Sequence, residues 1–476
     1  MRARHVFRNV FVVSATLATT VLSGCPAVTS QTVRPVQPPS EPEPRLTWPS
    51  YVGAEEVALL EEAERRIADD RQGDLLLAIK DSEGFPIAED ALEVRWELLR
   101  PAIGLGVRGP YDGPSHGALL RAGLDTLVAE LPYDRLAPEA GKLDPAALVT
   151  ENGLDVLPEL GMHVIGAGLV APDTLPKWLR SEPKGGLAGV ARKHVERLVG
   201  RLRGHVRAWE VVRDPHGFGL ESAAMVDFVR QQVEGVRAAD SVSAVLLGFT
   251  DLGTNNGAAD GAALKAARAI LEAGLPIDGF VVHLTANTYL GREGRLAPRR
   301  DLVDVGRALA ALAKLGKSLT LVLGAPAVAH PTDAKLAGYW GRRWDPDLQA
   351  SYARALVTLA LAIPEVRTIA WSDVLDATAR ITGGGLFQPP GEPRPVVWAL
   401  SEIATTLRSR GRGTTTDKGE LRLRGFAGQY LVTLTHRETR RRVHVRAEVV
   451  QGELRTMPVT LPVELSPVRP PLRSEP

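Results

Sequence analysis

The sequence predicts an α/β fold: a (β/α)8 TIM barrel with a small antiparallel β module. Strand-like and helix-like segments alternate from about residue 118 to residue 408, which favours a parallel barrel over separate sheets and bundles. The chain has 476 residues, more than the roughly 250 that a barrel needs. Its last part, about 413 to 466, largely alternates apolar and polar residues, which is the period of strands with one solvated face.

The first 25 residues have the pattern of a secretory signal. A basic start precedes an apolar run from Val10 to Val21, which is shorter than the roughly 20 residues of a membrane span. The run ends in Leu22–Cys25, which resembles a bacterial lipobox and implies lipidation of Cys25 as the mature N-terminus. The alternative is a plain signal peptide with a chance cysteine. We expect a lipid anchor in the bacterial cell envelope, with Pro26 favouring the outer membrane over the inner one.

A helical pattern from Gly53 to Asp70 is followed by two strand-like segments, Asp74–Ile79 and Ala91–Leu98. Because a few strands alone make a marginal core, we hypothesise that these two strands complete the sheet of the C-terminal module. The predicted organisation is a signal peptide at 1–25, a Pro-rich tether at 26–50, a helix-plus-β segment at 51–110, the barrel at 111–410, and the β module with a tail at 411–476.

Seven barrel strands can be placed by their apolar, β-branched composition. They are Thr126–Glu130, His163–Leu169, Val206–Val212, Ala244–Phe249, Gly279–His283, Leu319–Leu323 and Thr368–Trp371. Amphipathic segments such as Leu302–Leu315 lie between them and predict the crossover helices.

The composition narrows the function classes. The formal net charge is +1, so the whole chain offers no electrostatic footprint for nucleic acid. We interpret the run Arg440–Arg442 as a solvated strand face. The single cysteine excludes an internal disulfide framework and a zinc cluster of several thiolates. Since no phosphate-binding loop, dinucleotide fingerprint or metal spacing is found, we expect no cofactor and no metal.

The segment Ala208–Pro215, Ala-Trp-Glu-Val-Val-Arg-Asp-Pro, resembles the W-D-V-V-N-E-P signature of glycoside hydrolase family 10, the xylanase family. Other motifs follow in the family's order: Pro138–Asp144 is similar to its E-P-x-x-G-x-F-D/N turn, Leu175–Leu179 to T-P-x-W-L, and Gly274–Gly279 to G-V-P-I-D-G. The resemblance covers about residues 53 to 408. It implies a (β/α)8 barrel and xylanase-like O-glycosyl hydrolysis in carbohydrate metabolism.

The residues that match the family's catalytic positions are altered. The general acid/base Glu of the signature is Asp214 here, and the Asn before it is Arg213. The family's nucleophile position falls on Val322 or Leu323, depending on a one-residue register, and neither side chain attacks an anomeric carbon. Retaining hydrolysis needs two carboxyl groups about 5–5.5 Å apart. The substitutions therefore predict impaired catalysis.

Several other residues are candidates for the barrel mouth. We expect substrate-binding roles for six: Glu130, Arg213, His283, Trp344, Trp371 and Asp373. Trp340 is a further candidate for stacking on sugar rings. A new carboxylate pair of Asp214 with Asp373 or Asp376 is a hypothesis, and Asp173 and Asp251 are further acidic candidates. Glu210 lies in mid-strand, which favours a packing or supporting role.

Two functions stay open from the sequence. The first is a catalytically impaired, pseudoenzyme-like barrel that binds a polysaccharide or an envelope protein at the cell surface. The second is a divergent active glycoside hydrolase that uses an unassigned carboxylate pair. Loss of the nucleophile residue favours the first.

Overall fold

The computed structural model describes residues 47–87, 91–180, 184–250, 252, 261–285, 289–290, 295–296, 301–329, 338–381, 383–389 and 391–462. The described residues from Trp48 onward form one compact unit. The predicted signal, Cys25 and nearly all of the tether lie outside the described residues, as does Asp251.

Helices follow most of the barrel strands along the chain. Those in the described residues are α1 (Ala54–Asp70), α2 (Gly113–Arg121), α3 (Tyr133–Leu136), α4 (Ala146–Glu151), α5 (Lys177–Arg180), α6 (Lys184–Arg201), α7 (Ser222–Ala239), α8 (Ala262–Glu272), α9 (Leu302–Ala313), α10 (Pro346–Leu361) and α11 (Pro395–Thr406). The carboxylates of Asp112, Asp301 and Asp345 begin α2, α9 and α10, because each accepts a hydrogen bond from a backbone N–H in the first turn. None of the described helices is long and apolar enough to cross a membrane.

The strands of the described residues fall into a barrel, two module sheets and three short hairpins. They are β1 (Gln72–Lys80), β2 (Leu92–Pro101), β3 (Gly104–Arg108), β4 (Thr126–Glu130), β5 (His163–Ala167), β6 (Ala208–Arg213), β7 (Ala244–Phe249), β8 (Gly279–Thr285), β9 (Tyr289–Leu290), β10 (Arg295–Leu296), β11 (Ser318–Gly324), β12 (Gly338–Tyr339), β13 (Arg342–Arg343), β14 (Val366–Trp371), β15 (Phe387–Gln388), β16 (Glu392–Pro393), β17 (Arg410–Thr414), β18 (Glu420–Phe426), β19 (Gly428–His436), β20 (Arg442–Val449) and β21 (Leu454–Thr460).

Eight parallel strands close the barrel in the order β11-β14-β3-β4-β5-β6-β7-β8. The predicted (β/α)8 barrel is therefore confirmed, and β3 supplies the strand that the seven placed from the sequence lacked. A compact apolar cluster fills the barrel interior: Val128, Ile165, Ala167, Leu246, Val281, Val322 and Ala370. A larger cluster packs the outer strand faces against the helices.

The β module takes strands from both ends of the described chain. Strand β1 pairs with β18 and β21, and β2 pairs with β17 and β19, which continues to β20. The two sheets share a core that includes Leu77, Leu423 and Val432. The hypothesis that the N-terminal strands complete the module is confirmed, with the difference that they join two separate sheets.

Arg71 ties the start of β1 to the barrel. Its buried guanidinium donates hydrogen bonds to the carbonyl oxygens of Leu361, Ile363 and Val366, at the end of α10 and the start of β14. These carbonyls belong to a helix end and a turn, where intrahelical donors run out. One charged side chain thus satisfies several buried acceptors.

Arg71→Met is expected to lower the free energy of unfolding by about 3 kcal/mol, because buried acceptors lose charged donors. Urea unfolding followed by circular dichroism measures the change. Arg66→Met is the matched control: Arg66 lies exposed on α1, and its replacement is expected to change stability by less than about 0.5 kcal/mol. Equal effects of both substitutions would show that the carbonyl contacts contribute little.

Candidate functional site

Charged side chains form a layer at the carboxyl ends of the barrel strands, directly above the apolar interior. This ionic layer consists of Arg108, Glu130, Glu210, Arg213, His283 and Arg380. In (β/α)8 barrels this end is the one that carries function. The layer is therefore the candidate site.

Glu210 and Arg213 form the centre of the ionic layer. The Arg213 Nε and Nη2 atoms donate to the two carboxylate oxygens of Glu210 at 2.8 and 2.7 Å. Glu210 is fully buried and also accepts from the Gly168 backbone N–H at 3.0 Å. Such a bidentate arginine–carboxylate pair is among the strongest hydrogen-bonded ion pairs in proteins.

A bulge in β6 makes this pairing possible. Along a regular strand, residues three apart point to opposite faces. The register of β6 against β7 shifts between Glu210 and Val212, so that Trp209, Val211 and Val212 all pack in the outer core. Glu210 and Arg213 are thereby both directed into the barrel.

Two glycines leave room for the layer. A Cβ atom on Gly248 would lie 1.7 Å from Glu210 Oε1, so no larger residue fits there. Gly168 has a φ of +73°, and its Cβ would meet both Glu130 and Arg213 within 3.3 Å. The left-handed backbone there directs the N–H group to Glu210.

Glu130 bridges the ionic layer to solvent. Its carboxylate lies 3.2 Å from Arg213 Nη2, 3.4 Å from Arg108 Nη1 and 3.2 Å from Arg380 Nη2. The side chain of Glu130 is 14% exposed and that of Arg380 is 43% exposed. These two side chains form the part of the layer that a ligand reaches first.

His283 completes the layer as a neutral ring. Its Nε2 lies 3.0 Å from Glu210 Oε1, and its Nδ1 lies 3.5 Å from Arg108 Nη1. Burial and the nearby Arg213 lower the pKa of His283, which favours the neutral form at neutral pH. The two contacts assign its proton to Nε2, so that Nδ1 accepts from Arg108.

Both glutamates of the layer are held ionised. Burial opposes ionisation of Glu210, but Arg213 and His283 outweigh it and lower its pKa to about 2. Burial also opposes ionisation of Glu130, whose pKa nevertheless lies well below its usual range because of the arginines around it. The same pairing raises the pKa of Arg213 against the effect of burial. The charges of the layer are therefore fixed near neutral pH.

Asp214, which the sequence resemblance suggested as the acid/base residue, directly follows Arg213 of the layer. It has a left-handed backbone with a φ of 48° and directly precedes a 3-10 turn, Pro215–Phe218. Its carboxylate accepts from the backbone N–H of Thr250 at 2.9 Å and from the Thr250 hydroxyl at 2.6 Å. These bonds tie the end of β6 to the end of β7.

Val322 and Leu323, the two residues that the family resemblance suggests for the nucleophile position, are both buried and apolar. Val322 packs in the interior cluster and pairs in register with His283, whereas Leu323 packs in the outer core. Val322 is therefore the inward-facing residue of the two, and neither side chain carries a carboxylate.

Asp373 and Asp376 accept hydrogen bonds from the loop after β14. Asp373 accepts from the Ser372 hydroxyl and from the backbone N–H groups of Arg380 and Ile381, and Asp376 accepts from Arg394 and the Gly385 N–H. No hydrogen bond or ion pair among the described residues joins either carboxylate to Asp214. The hypothesised new pair thus has no contact that supports it. Asp173 is exposed in a short 3-10 turn.

The predictions for Trp344 and Trp371 need correction, whereas Trp340 is only half-buried and its prediction stays open. Trp344 is 3% exposed and packs edge-on against Tyr352 in the outer core, so its ring has no free face for a sugar. Trp371 is equally buried and donates from Nε1 to the Gly384 carbonyl. Trp340 donates its N–H to Glu56 on α1. These rings stabilise the barrel wall.

Two members of the ionic layer escaped the sequence analysis. Arg108 ends β3 and donates to the Ser372 carbonyl at 3.0 Å, and Arg380 lies in a loop after β14. A basic residue at the end of a buried strand was the available signal for Arg108. Glu210, for which the sequence predicted a packing or supporting role, is the central hydrogen-bond acceptor of the layer. In the described part of the chain, no group of three or more His, Cys, Asp or Glu side chains is placed to hold a metal ion.

No protein-family model matches the sequence. Solved structures of xylanase-type barrels are similar in fold. Xylanase 10B from Thermotoga maritima superposes with a TM-score of 0.50 at 17% identity, over 64% of this chain and 95% of that one. A GH10 structure from Paenibacillus barcinonensis gives 0.49 at 18%, over 64% and 96%. The molecule is thus a (β/α)8 barrel protein, and the barrel is xylanase-like; at this identity the likeness is one of fold.

Arg213→Met is expected to destabilise the protein by about 3–5 kcal/mol, because the buried carboxylate of Glu210 loses its main counter-charge. Thermal and urea unfolding measure the loss. Arg207→Met provides the control, since Arg207 is exposed just before β6 and should change stability by less than about 0.5 kcal/mol. A fully stable Arg213→Met protein would mean that the layer is not essential to the fold.

The ionic layer also predicts a pH dependence of stability. The pKa of Glu210 is about 2 in the folded state against an ordinary 4.5. A lowered pKa stabilises the fold above pH 4.5, and this contribution, about 3 kcal/mol, is lost as the pH falls toward 2. The stability difference between wild type and Glu210→Gln should therefore be largest above pH 5 and shrink on acidification. A difference that stays constant from pH 7 to pH 3 would contradict the shift.

Proposed function

We propose that this chain is an envelope-anchored, non-hydrolytic relative of the family 10 xylanases whose barrel binds polysaccharide. The observation that carries the proposal is the ionic layer, in which the inward-facing carboxylates are already paired inside the protein. Lipidation at Cys25 would hold the barrel at the cell envelope, and residues 26–50 would act as its tether.

The residues of the layer do not suit glycoside hydrolysis. A general acid must carry a proton near neutral pH, whereas the arginines hold the pKa values of Glu130 and Glu210 low. A retaining nucleophile must reach the anomeric carbon, and the inward residue of β11 is Val322. The carboxylate of Asp214, the remaining candidate acid, is already engaged because it accepts two hydrogen bonds from Thr250.

The same layer suits the binding of hydroxyl-rich ligands. Arg380 and Glu130 reach the surface of the barrel mouth and supply donors and acceptors that sugar hydroxyls pair with. Since the similar Thermotoga maritima barrel is a xylanase, xylan is the first ligand to test.

The test combines release of reducing ends with binding. Protein that begins at residue 26 keeps the whole compact unit. We expect it to release no reducing ends from xylans, glucans or mannans, and to be retarded by at least one of them in affinity electrophoresis. Arg380→Gln should weaken binding about tenfold if the ligand reaches the mouth.

Asp214→Ala and the exposed-site control Asp227→Ala complete the design. Release that disappears in Asp214→Ala but persists in Asp227→Ala would establish a divergent hydrolase with Asp214 as its acid or base. If the folded protein is retarded by none of the polysaccharides, polysaccharide binding is wrong and an envelope protein is left as the partner.

A further inference from the structure

A second charged surface lies on the β module, on the outer face of the sheet β17-β2-β19-β20. An open groove of about 740 Å³ runs along this face. Five arginines line it: Arg95, Arg410, Arg412, Arg440 and Arg442. We call this surface the arginine groove.

The strand register places these arginines side by side. Arg412 on β17 lies directly opposite Arg95 on β2, and the same row continues to Thr433 and His444. Arg410 and Arg412 are two residues apart on one strand, which places them about 7 Å from each other on the same face. Directly opposed like charges destabilise a sheet, so folding alone gives no reason for this row.

The positive charge of the arginine groove exceeds the negative charge of the acidic residues that line it. Its acidic lining residues are Glu93 and Glu97, and Glu93 pairs with Arg95 at 2.7 Å. The other four arginines make no ion pair within the described part of the chain. The lining therefore holds five arginines and two glutamates, an excess of three positive charges on one face of a chain whose net charge is +1.

We propose that the arginine groove binds an acidic polysaccharide, a sugar chain that carries carboxylate groups. Guanidinium groups pair with carboxylates through two parallel hydrogen bonds, and spaced arginines on adjacent strands match a repeating anion. The choice of a polysaccharide among polyanions rests on the proposed function, but the site is separate from the barrel mouth.

Other polyanions fit the lining less well. Binding of single-stranded nucleic acid combines basic side chains with exposed aromatic rings on which bases stack, whereas Trp96, the one Trp, Tyr or Phe of the lining, packs against the module core beneath Gly411. Insertion into a membrane needs apolar side chains, and Leu431 is the only aliphatic one in the lining. Three threonine or histidine side chains there, Thr433, Thr435 and His444, offer hydrogen bonds to hydroxyl groups.

The test measures binding of polygalacturonate by isothermal titration to protein beginning at residue 26. The double variant Arg412→Gln/Arg442→Gln should weaken binding at least about tenfold at low salt, and wild-type binding should weaken as salt rises. The matched control Arg207→Gln/Arg343→Gln removes two exposed arginines outside the groove and should bind like wild type. Arg410→Gln/Arg440→Gln is a second groove variant should the first unfold.

Polygalacturonate binding that is absent, or that falls equally in groove and control variants, would overturn the inference. Tighter binding of a single-stranded oligonucleotide or of phosphatidylglycerol vesicles would overturn it in favour of those ligands. Neutral xylan separates the two proposals: a protein that binds xylan but not polygalacturonate loses only the arginine groove. A protein that binds polygalacturonate but not xylan contradicts only the barrel proposal.

Discussion

A guanidinium held between the buried carboxylate of Glu210 and the partly exposed carboxylate of Glu130 is the interaction on which the functional end of this barrel depends. Arg213 forms a bidentate ion pair with Glu210 and also donates a hydrogen bond to Glu130. A buried charge without its partner costs several kcal/mol, so each member of the ionic layer requires the others. The bulge in β6 and the glycines at 168 and 248 serve this one contact, because they direct and admit the charged side chains.

The same interaction sets the ionisation of the carboxylates at the barrel mouth. A glycosidase keeps one carboxyl protonated and another free to attack, whereas here the arginines drive the pKa values of Glu130 and Glu210 down. Below the layer, Val322 and Val281 belong to an apolar interior that supports the strands. The result is a xylanase-like barrel in which the polar groups of the mouth stabilise one another.

Two arginine clusters of this protein differ in one physical respect. Around Glu130, the arginines of the barrel mouth are matched by carboxylates. In the arginine groove, Arg410, Arg412, Arg440 and Arg442 form no ion pair within the described part of the chain, although Glu93 and Glu97 also line it. The module that carries the groove joins β1 and β2 to strands that lie more than 300 residues later in the sequence, and its packed core supports the groove.

The sequence by itself determined the barrel and seven of its eight strands, because the hydrophobic period of a strand or helix and its local motifs depend on residues that are neighbours in the chain. It also placed Glu130, Arg213 and His283 near strand ends. Only the tertiary structure decided what they do there. The bulge that brings Glu210 beside Arg213, the arrival of Arg380 from a distant loop, and the burial of Trp344 all depend on contacts between segments far apart in the chain, which periodicity does not encode.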